Sequence, residues 1–280
     1  VLDQQSGHYD LEILIIDDGS SDNTMEIVQR VVACSPLPIR LIARKHEGVS
    51  AIAKNFLSLI NLSKGDYIAF LAGDDYYIPD RFSSHLCMFS NNENLEIVYS
   101  DGVNCENGEM QGSCHPLKSI SVMQSQDGKR VYQYLTSEAP VLFIQGVLAK
   151  GDFIRSIQPF DVDLIADDWV FNIKVFRSLL KTGGAYFFDP SPQFVRNIHG
   201  ENTSRNLKVH YERVSQVAER YCHNTLIIKS RFIGQALVAA SKNKEFHDFW
   251  FFARKIPNAP LALYWFFKSI IRIGFRRLRL

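Results

Sequence analysis

Strand-like apolar stretches that alternate with helix-forming stretches constrain the fold of this 280-residue chain more than any other feature. Four strand-like stretches occur, at residues 11–16, 39–43, 67–71 and 95–100, and we interpret the first as a continuous apolar run. Runs without polar alternation are typical of strands that are buried on both faces. Between them, stretches with helical spacing occupy residues 25–34, 49–62 and 79–89. This alternation predicts an α/β fold with a doubly wound, mainly parallel sheet.

Later parts of the chain depart from this rhythm. Asn107-Gly108 predicts a hairpin turn. Residues 110–140 are polar and irregular, and we interpret them as a loop region near the binding site. After about residue 205 the sequence predicts helices alone. We therefore expect an α/β domain over 1–205 and a helical, basic extension over 206–280.

The formal net charge of +1 hides a division between these two parts. Residues 206–280 contain 14 Lys and Arg against 4 Asp and Glu, whereas the other 205 residues contain 17 against 26. An acidic body predicts a cation site, and a basic extension predicts an anionic partner. The five cysteines show no CxxC spacing, which argues against a zinc site or a disulfide framework and favours a reducing, cytoplasmic setting.

Three pairs of adjacent aspartates stand where strand patterns end: Asp17-Asp18, Asp74-Asp75 and Asp167-Asp168. Ligands of open α/β sheets bind at the carboxyl ends of the strands. Carboxylates gathered there hold a divalent cation, a ribose or a proton in transfer. The pairs therefore predict a metal- and nucleotide-dependent site. The structural alternatives are a turn former for the first pair, a solvated loop for the second and a helix-start pair for the third.

Three strings carry a resemblance to a known family. They are DDGS at 17–20, GVSAIAKN at 48–55 and GDYIAFLAGDD at 65–75. In order, spacing and strand context they resemble the signatures of family 2 glycosyltransferases, which are inverting enzymes of the GT-A fold. The resemblance runs from Val1 to about Ser204.

The resemblance implies a set of donor and metal contacts. Asp17 and Asp18 would contact the nucleoside of a nucleotide-sugar, and Lys54 and Asn55 would lie beside the donor, although most members have Arg at Lys54. Ala72 stands where the first acid of the family's DxD motif is usual. The remaining implied contacts are Asp75, Asp74 and His199 for Mn²⁺ or Mg²⁺, and Asp74 and Arg196 for the donor.

The third pair resembles the family's acidic motif at the start of a helix. Asp168 takes the position of the general base, and Asp167 replaces the usual Glu. The resemblance and the residue types suggest four residues on the acceptor side: Asp167, Trp169, Gln145 and Gly146. An aromatic side chain at a helix start is also typical of a core position.

The resemblance has two further implications for the chain as a whole. The sequence begins at Val1 without an initiator Met, so we expect that it is truncated and that the family's opening strand lies upstream. Without that strand the sheet would have a gap beside Leu11–Ile16.

Residues 259–280 combine bulky apolar side chains with basic ones and contain no acids. Lys268, Arg272, Arg276 and Arg279 fall on one stripe of a helix. The uninterrupted apolar run is too short to span a bilayer, so the pattern predicts a helix lying in the interface of an anionic membrane. The alternative is a basic helix packed on the body of the protein.

These features favour an inverting glycosyltransferase with a nucleotide-sugar donor and a glycan or lipid-linked acceptor, on the cytoplasmic membrane face, in cell-surface polysaccharide synthesis. A Rossmann oxidoreductase would need G-x-G-x-x-G after the first strand, and the sequence lacks it. A non-catalytic, membrane-associated binding protein on a degenerate transferase fold stays open. We expect no nucleic-acid partner.

Overall fold

The structure, a computed structural model of the chain, describes Gln4 and residues 9–48, 51–165, 168–199 and 206–277, with side chains given to residue 271. The chain divides into two units, each with its own apolar core. The first comprises Val1–Tyr134 and Pro140–His199, and the second comprises Leu135–Ala139 and Gly200–Leu280.

A parallel strand pair opens the first unit. β1 (Ile13–Asp17) pairs with β2 (Ile39–Ala43), so that Asp17 lies opposite Ala43. Both strands therefore end at the same edge, and the loops that follow them begin side by side. The helices that follow the two strands are α1 (Thr24–Cys34) and α2 (Ala51–Leu62).

The other strands form a mixed sheet in the order β3–β7–β5–β8–β4, with β6 also paired to β5. Their bounds are β3 (Tyr67–Ala69), β4 (Tyr76–Tyr77), β5 (Leu95–Glu106), β6 (Glu109–Ser113), β7 (Leu148–Lys150) and β8 (Ala185–Ile198). β5 and β8 run parallel, and the other described pairs of this sheet run antiparallel. The remaining helices of this part of the chain are α3 (Arg81–Ser90), α4 (Leu117–Met123), α5 (Gly128–Ser137), α6 (Gly151–Ile157) and α7 (Asp168–Thr182).

The pairing is more mixed than the mainly parallel sheet that the rhythm predicts. After β5 the chain makes a hairpin and two helices before β7, which then lies antiparallel to both β3 and β5. The hairpin itself is confirmed. Asn107 and Gly108 have φ values of 53° and 82°, as a tight I′ turn requires.

The loop prediction for residues 110–140 is wrong. The structure has β6, α4 and α5 there, and Val122, Met123 and Val131 are buried. The two helices are only 7 and 10 residues long, and each offers too few turns for its helical spacing to be recognised in the sequence.

A cavity of about 540 Å³ lies beside β1 and β3, which are not paired with each other among the described strands. Residues 9–14 and 63–71 line it together with Phe56 and other apolar side chains. The Glu12 carboxylate links the two sides, since it accepts hydrogen bonds from the backbone N–H groups of Lys64 at 2.6 Å and Gly65 at 2.9 Å.

The chain after residue 206 is helical, as predicted. Its helices are α8 (Leu207–Tyr221), α9 (Thr225–Asn243), α10 (Phe246–Ala253) and α11 (Ala262–Arg277). Phe252 and Ala262 are buried in the core of this unit, together with Ile233 and Leu237 of α9. Among the described residues, no helix combines the length and apolar character needed to cross a membrane.

One face of α11 is apolar and exposed. Leu263, Phe267 and Ile270 are 45%, 59% and 45% exposed and fall on one stripe of the helix. Lys268 is also exposed and lies next to this stripe. The side chains of Arg272 and Arg276 lie outside the described part, as does Arg279.

We expect Gly146→Ala to lower the free energy of unfolding by about 1–3 kcal/mol. Gly146 is buried, and a Cβ built on it would overlap the carbonyl oxygen of Ser100 in β5. Urea unfolding measures the change. The control is Gly112→Ala, because a Cβ at this exposed glycine of β6 meets nothing within 4 Å. Equal stability of the two variants would contradict the close contact.

Candidate active site

Asp17 closes the turn that follows β1. It is 8% exposed, and one carboxylate oxygen accepts hydrogen bonds from the backbone N–H groups of Gly19 and Ser20, each at 3.1 Å. The other oxygen accepts the Ser20 hydroxyl. This hydroxyl has the largest effect and lowers the pKa of Asp17, and the N–H groups add to it against the opposing effect of burial. Asp17 therefore uses both carboxylate oxygens to hold the turn. This supports the structural alternative for Asp17, in which the residue forms a turn.

Asp18 faces outward beside Asn55. Its carboxylate accepts a hydrogen bond from the Asn55 side-chain amide at 3.0 Å and lies 3.1 Å from Nδ1 of His46. Arg44 donates to the Asn55 carbonyl oxygen at 2.8 Å, which turns the amide N–H groups toward Asp18. The Asp18 side chain keeps 30% of its surface exposed. This carboxylate is thus oriented by the protein and accessible to a ligand.

Asp75 is a buried carboxylate that two distant parts of the chain hold. It is 9% exposed. The Gln145 side-chain amide donates to one oxygen at 2.8 Å, and the Asn197 backbone N–H donates to the other at 3.0 Å. Burial has the largest effect and raises the pKa of Asp75, and the charge of Asp74 raises it further, while the two hydrogen bonds oppose the shift. A carboxylate in this environment is stabilised by an added positive charge.

Asp74 lies on the exposed side of the same loop. Its carboxylate is 2.8 Å from Nε2 of His199, with exposed side-chain fractions of 41% and 46%. The Asn197 side-chain amide donates to the Asp74 backbone carbonyl. The end of β8 therefore lies along this loop and brings His199 to the second aspartate pair.

Arg196 lies in the same stretch of β8. Its guanidinium stacks over the Phe143 ring at 4.8 Å and donates to the Asn104 side chain at 3.3 Å. Its charge acts to lower the pKa of Asp75. Arg196 thus contributes positive charge beside the two carboxylates.

Asp74, Asp75 and His199 fit a divalent cation that a ligand also coordinates. The described part of the chain has no group of three or more His, Cys, Asp or Glu that could hold a metal ion by itself. Mg²⁺ is, however, usually bound through one or two carboxylates, with phosphate oxygens and water as its other ligands. The raised pKa of Asp75 beside a second carboxylate supports such a shared site.

Asp168 is the first residue of α7 and is half-buried. Its backbone carbonyl accepts a hydrogen bond from the Asn172 amide at 2.6 Å. The same amide donates to the Leu142 carbonyl at 3.0 Å. The first turn of α7 is thereby tied to the segment that carries Gln145.

The residues suggested for the acceptor side differ in their surroundings. Gln145 is bonded to Asp75, whereas Gly146 is buried against β5. Trp169 is 7% exposed, which supports the core alternative for this side chain. Asp167 lies outside the described residues, as do residues 49–50 of the string at 48–55.

The predicted residues thus form two groups, one around Asp18 and one around Asp75. Lys54 belongs to neither, since it pairs with Glu47 at 2.8 Å on the exposed surface. Sequence reasoning missed four supporting residues: Arg44, His46, Asn172 and Asn197. A signal existed for His46, which follows the end of β2 at the edge where β1 ends. No local pattern marks Asn172, because its role depends on a carbonyl 30 residues away.

Comparison with known proteins identifies the family of the chain. The sequence model of Glycosyl transferase family 2 matches residues 1–140, which is half of the chain. A chondroitin synthase of Pasteurella multocida (strain Pm70) is 32% identical over 95 residues, which cover 34% of this chain and 9% of that protein. The UDP-Glc:alpha-D-GlcNAc-diphosphoundecaprenol beta-1,3-glucosyltransferase WfaP of Escherichia coli is 31% identical over 91 residues, which cover 32% of this chain and 34% of that protein. The chain thus matches only a minor part of the length of these relatives.

A solved structure confirms the fold class. The mannosyltransferase PcManGT from Pyrobaculum calidifontis, in complex with GDP-Man and Mn²⁺, aligns with a TM-score of 0.52 and 14% sequence identity. The alignment covers 86% of this chain and 68% of that one. At this identity the likeness concerns the fold alone, which is GT-A, as the sequence predicted.

We expect Asp17→Asn to lower the free energy of unfolding by about 1–3 kcal/mol at pH 7, because an amide cannot accept all three hydrogen bonds of the turn. Folding lowers the pKa of Asp17 below its unfolded value of about 3.9. The ionised carboxylate therefore stabilises the folded protein fully above that pH, and this stabilisation is lost as the pH falls through the folded-state pKa. The difference between variant and wild type should therefore shrink below about pH 4. Urea unfolding across this range tests it, with the exposed Asp10→Asn as control, and a difference independent of pH would argue against the turn.

Proposed function

The chain belongs to glycosyl transferase family 2, and from this premise we propose that it is an inverting glycosyltransferase. It transfers a sugar from a nucleotide-sugar to a hydroxyl of a glycan or lipid-linked acceptor in cell-surface polysaccharide synthesis. The observation that carries the proposal is the buried Asp75 beside Asp74 and His199. The names of the two relatives, one for a polysaccharide and one for a diphosphoundecaprenol-linked acceptor, support the acceptor class.

The group around Asp18 binds the nucleoside of the donor. Asp18 offers an oriented, accessible acceptor for hydrogen bonds from a base or ribose, and Asn55 is fixed beside it. Asp17 contributes by holding the loop. Lys54 lies beside the donor and can separate from Glu47, since an ion pair on the exposed surface contributes little to stability.

The group around Asp75 binds the diphosphate together with a cation. Asp75, Asp74 and His199 are the residues that would hold Mn²⁺ or Mg²⁺, and Arg196 adds positive charge beside them. When bound, the cation stabilises the negative charge of the departing nucleoside diphosphate. The GDP-Man and Mn²⁺ in the mannosyltransferase structure support this assignment.

Asp168 acts as the general base. It takes the proton of the acceptor hydroxyl while that oxygen forms a bond to the anomeric carbon and the bond from that carbon to the diphosphate oxygen breaks. Attack from the face opposite the leaving group inverts the anomeric centre. The tie from Asn172 to the Leu142 carbonyl keeps the start of α7 in register with the segment that holds Asp75.

The acceptor lies on the side of Gln145. The side-chain amide of this residue donates to Asp75, and its Oε1 atom is buried without a hydrogen-bond partner among the described residues. Gly146 and Trp169 shape this side through packing, and Asp167 is the neighbour of the base.

We expect Asp168→Asn to lower the rate of transfer by about 10²–10⁴-fold and to leave donor affinity within a few fold, because it removes a proton acceptor and no donor contact. A panel of nucleotide-sugars with Mn²⁺ identifies the donor through release of the nucleoside diphosphate, and transfer is then measured with that donor. The matched control is Asp152→Asn, which also removes an acid from the first turn of a helix.

The same measurements separate this function from a non-catalytic binding protein, which the absence of an acid at Ala72 keeps open. Donor binding without turnover in the wild type would favour the binding protein. Undiminished turnover in Asp168→Asn would remove the general-base assignment.

We further propose that residues 259–280 contact an anionic membrane at its cytoplasmic face. The exposed apolar stripe of α11 supports this, since apolar side chains next to a basic one suit a bilayer interface. An acceptor held at that surface would be within reach of an enzyme that also binds there.

We expect the triple variant Leu263→Ser, Phe267→Ser, Ile270→Ser to lose at least about tenfold in partitioning onto anionic vesicles, because each change removes buried apolar area at the interface. Vesicle co-sedimentation at two salt concentrations measures it. The control is Leu117→Ser, which alters an 85% exposed leucine of the first unit. Equal partitioning of both variants would argue against this face.

A further inference from the structure

Residues 142–147, here called the support segment, lie between α5 and β7 and contain a single turn of 3-10 helix. Side chains from four other parts of the chain hold its backbone. Asn172 donates to the Leu142 carbonyl at 3.0 Å, and Ser100 donates to the Gly146 carbonyl at 3.0 Å. The buried Arg81 guanidinium donates to the carbonyls of residues 145 and 147 at 2.6 and 2.8 Å.

His115 provides the fourth contact. Its Nε2 accepts a hydrogen bond from the Phe143 backbone N–H at 3.1 Å. Because Nε2 accepts, the ring proton is on Nδ1, which donates to the Asp101 carboxylate at 2.8 Å. Both ring nitrogens are therefore used, and the orientation of the ring is fixed.

The pair of Asp101 and His115 is almost fully enclosed. The two residues are 4% and 5% exposed. Burial acts to raise the pKa of Asp101, but hydrogen bonds from His115, Ser113 and the Gly102 backbone outweigh it and lower the pKa. The carboxylate stays ionised, and the neutral ring lies between it and the support segment. No step of the proposed reaction uses either group.

The support segment carries two side chains into the proposed diphosphate site. Gln145 donates to the Asp75 carboxylate at 2.8 Å, and the Phe143 ring lies under the Arg196 guanidinium at 4.8 Å. A shift of the backbone at Phe143 would therefore move both a contact of Asp75 and the support of a cationic side chain. Loss of a contact that holds a metal ligand without touching the metal lowers metal affinity or activity by about 10–100-fold.

We infer that Asp101 and His115 form a positioning pair, which fixes the support segment and through it sets Asp75 and Arg196 for a cation and a diphosphate. The inference rests on the proposed function and adds two positioning residues that contact neither the cation nor the diphosphate. The pair acts through the Phe143 N–H. Its loss should therefore weaken binding of the cation and the diphosphate more than it slows the chemical step.

The chain offers a matched control in a second buried His–Asp pair. His85 and Asp189 are 0% and 8% exposed, and Nε2 of His85 lies 3.3 Å from the Asp189 carboxylate. Besides His85, the Asp189 carboxylate accepts hydrogen bonds from Ser191 and Gln193, neither of which belongs to the support segment. We expect loss of this pair to cost stability and to leave the hydrogen bonds of Asp75 to Gln145 and Asn197 in place.

The experiment compares the full-length variants His115→Gln and Asp101→Asn with His85→Gln and wild type. Calorimetry measures the affinity for UDP and for GDP, each with Mn²⁺, and thermal unfolding measures stability. Of UDP and GDP, one binds more tightly to the wild type, and we expect the first two variants to bind that nucleotide about 10–100-fold more weakly than the wild type does. We expect His85→Gln to bind within about twofold of wild type at a comparable loss of Tm.

Amide hydrogen exchange without metal or nucleotide gives a second readout. Exchange of residues 142–147 should accelerate in His115→Gln and Asp101→Asn and stay unchanged in His85→Gln. If His115→Gln does not fold, the nearly isosteric Asp101→Asn carries the test.

The outcomes separate the two proposals. The positioning role is overturned, and the proposed function is left standing, by either of two results. One is wild-type nucleotide affinity in folded His115→Gln and Asp101→Asn, and the other is an equal loss of nucleotide affinity in His85→Gln. A wild-type protein that binds neither nucleotide with Mn²⁺ contradicts the proposed function and this inference with it.

Discussion

A buried carboxylate needs hydrogen-bond donors, and the donors of Asp75 come from two separate segments of the first unit. Gln145 reaches it from the segment before β7, and the Asn197 backbone reaches it from the end of β8. The loop after β3, the support segment and β8 therefore have to meet for this one residue to be satisfied. That convergence also brings His199 to Asp74, and through Asn172 it ties in the start of α7.

The two described aspartate pairs share a division of roles. In each, one carboxylate is buried and bound to backbone N–H groups, as Asp17 and Asp75 are. The other is accessible and lies close to a histidine nitrogen, as Asp18 and Asp74 do. In the proposed function the buried member fixes the loop, and the accessible member contacts a ligand. Asp75 does both in the proposed site, since its raised pKa favours a nearby cation.

Much of the fold follows from local pattern. The continuous apolar runs predicted β1 and β2 to within two residues, and Asn107-Gly108 predicted the hairpin. The pattern failed at 110–140, where the two helices are short. It also failed for β7, whose antiparallel position depends on partners far along the chain. The carboxylate loops were predictable because they end strands. The contacts that support these loops could not be predicted. The hydrogen bond from Gln145 to Asp75, for example, joins residues 70 apart, and no local sequence pattern indicates it.

The most direct test of the cation and diphosphate assignment is an anomalous difference map from crystals of the protein grown with Mn²⁺ and the nucleoside diphosphate that it binds. We expect a Mn²⁺ peak in contact with a carboxylate oxygen of Asp74 or Asp75 and with a phosphate oxygen of the nucleotide. Bound nucleotide with no Mn²⁺ at these carboxylates, or with Mn²⁺ only elsewhere, would contradict the assignment.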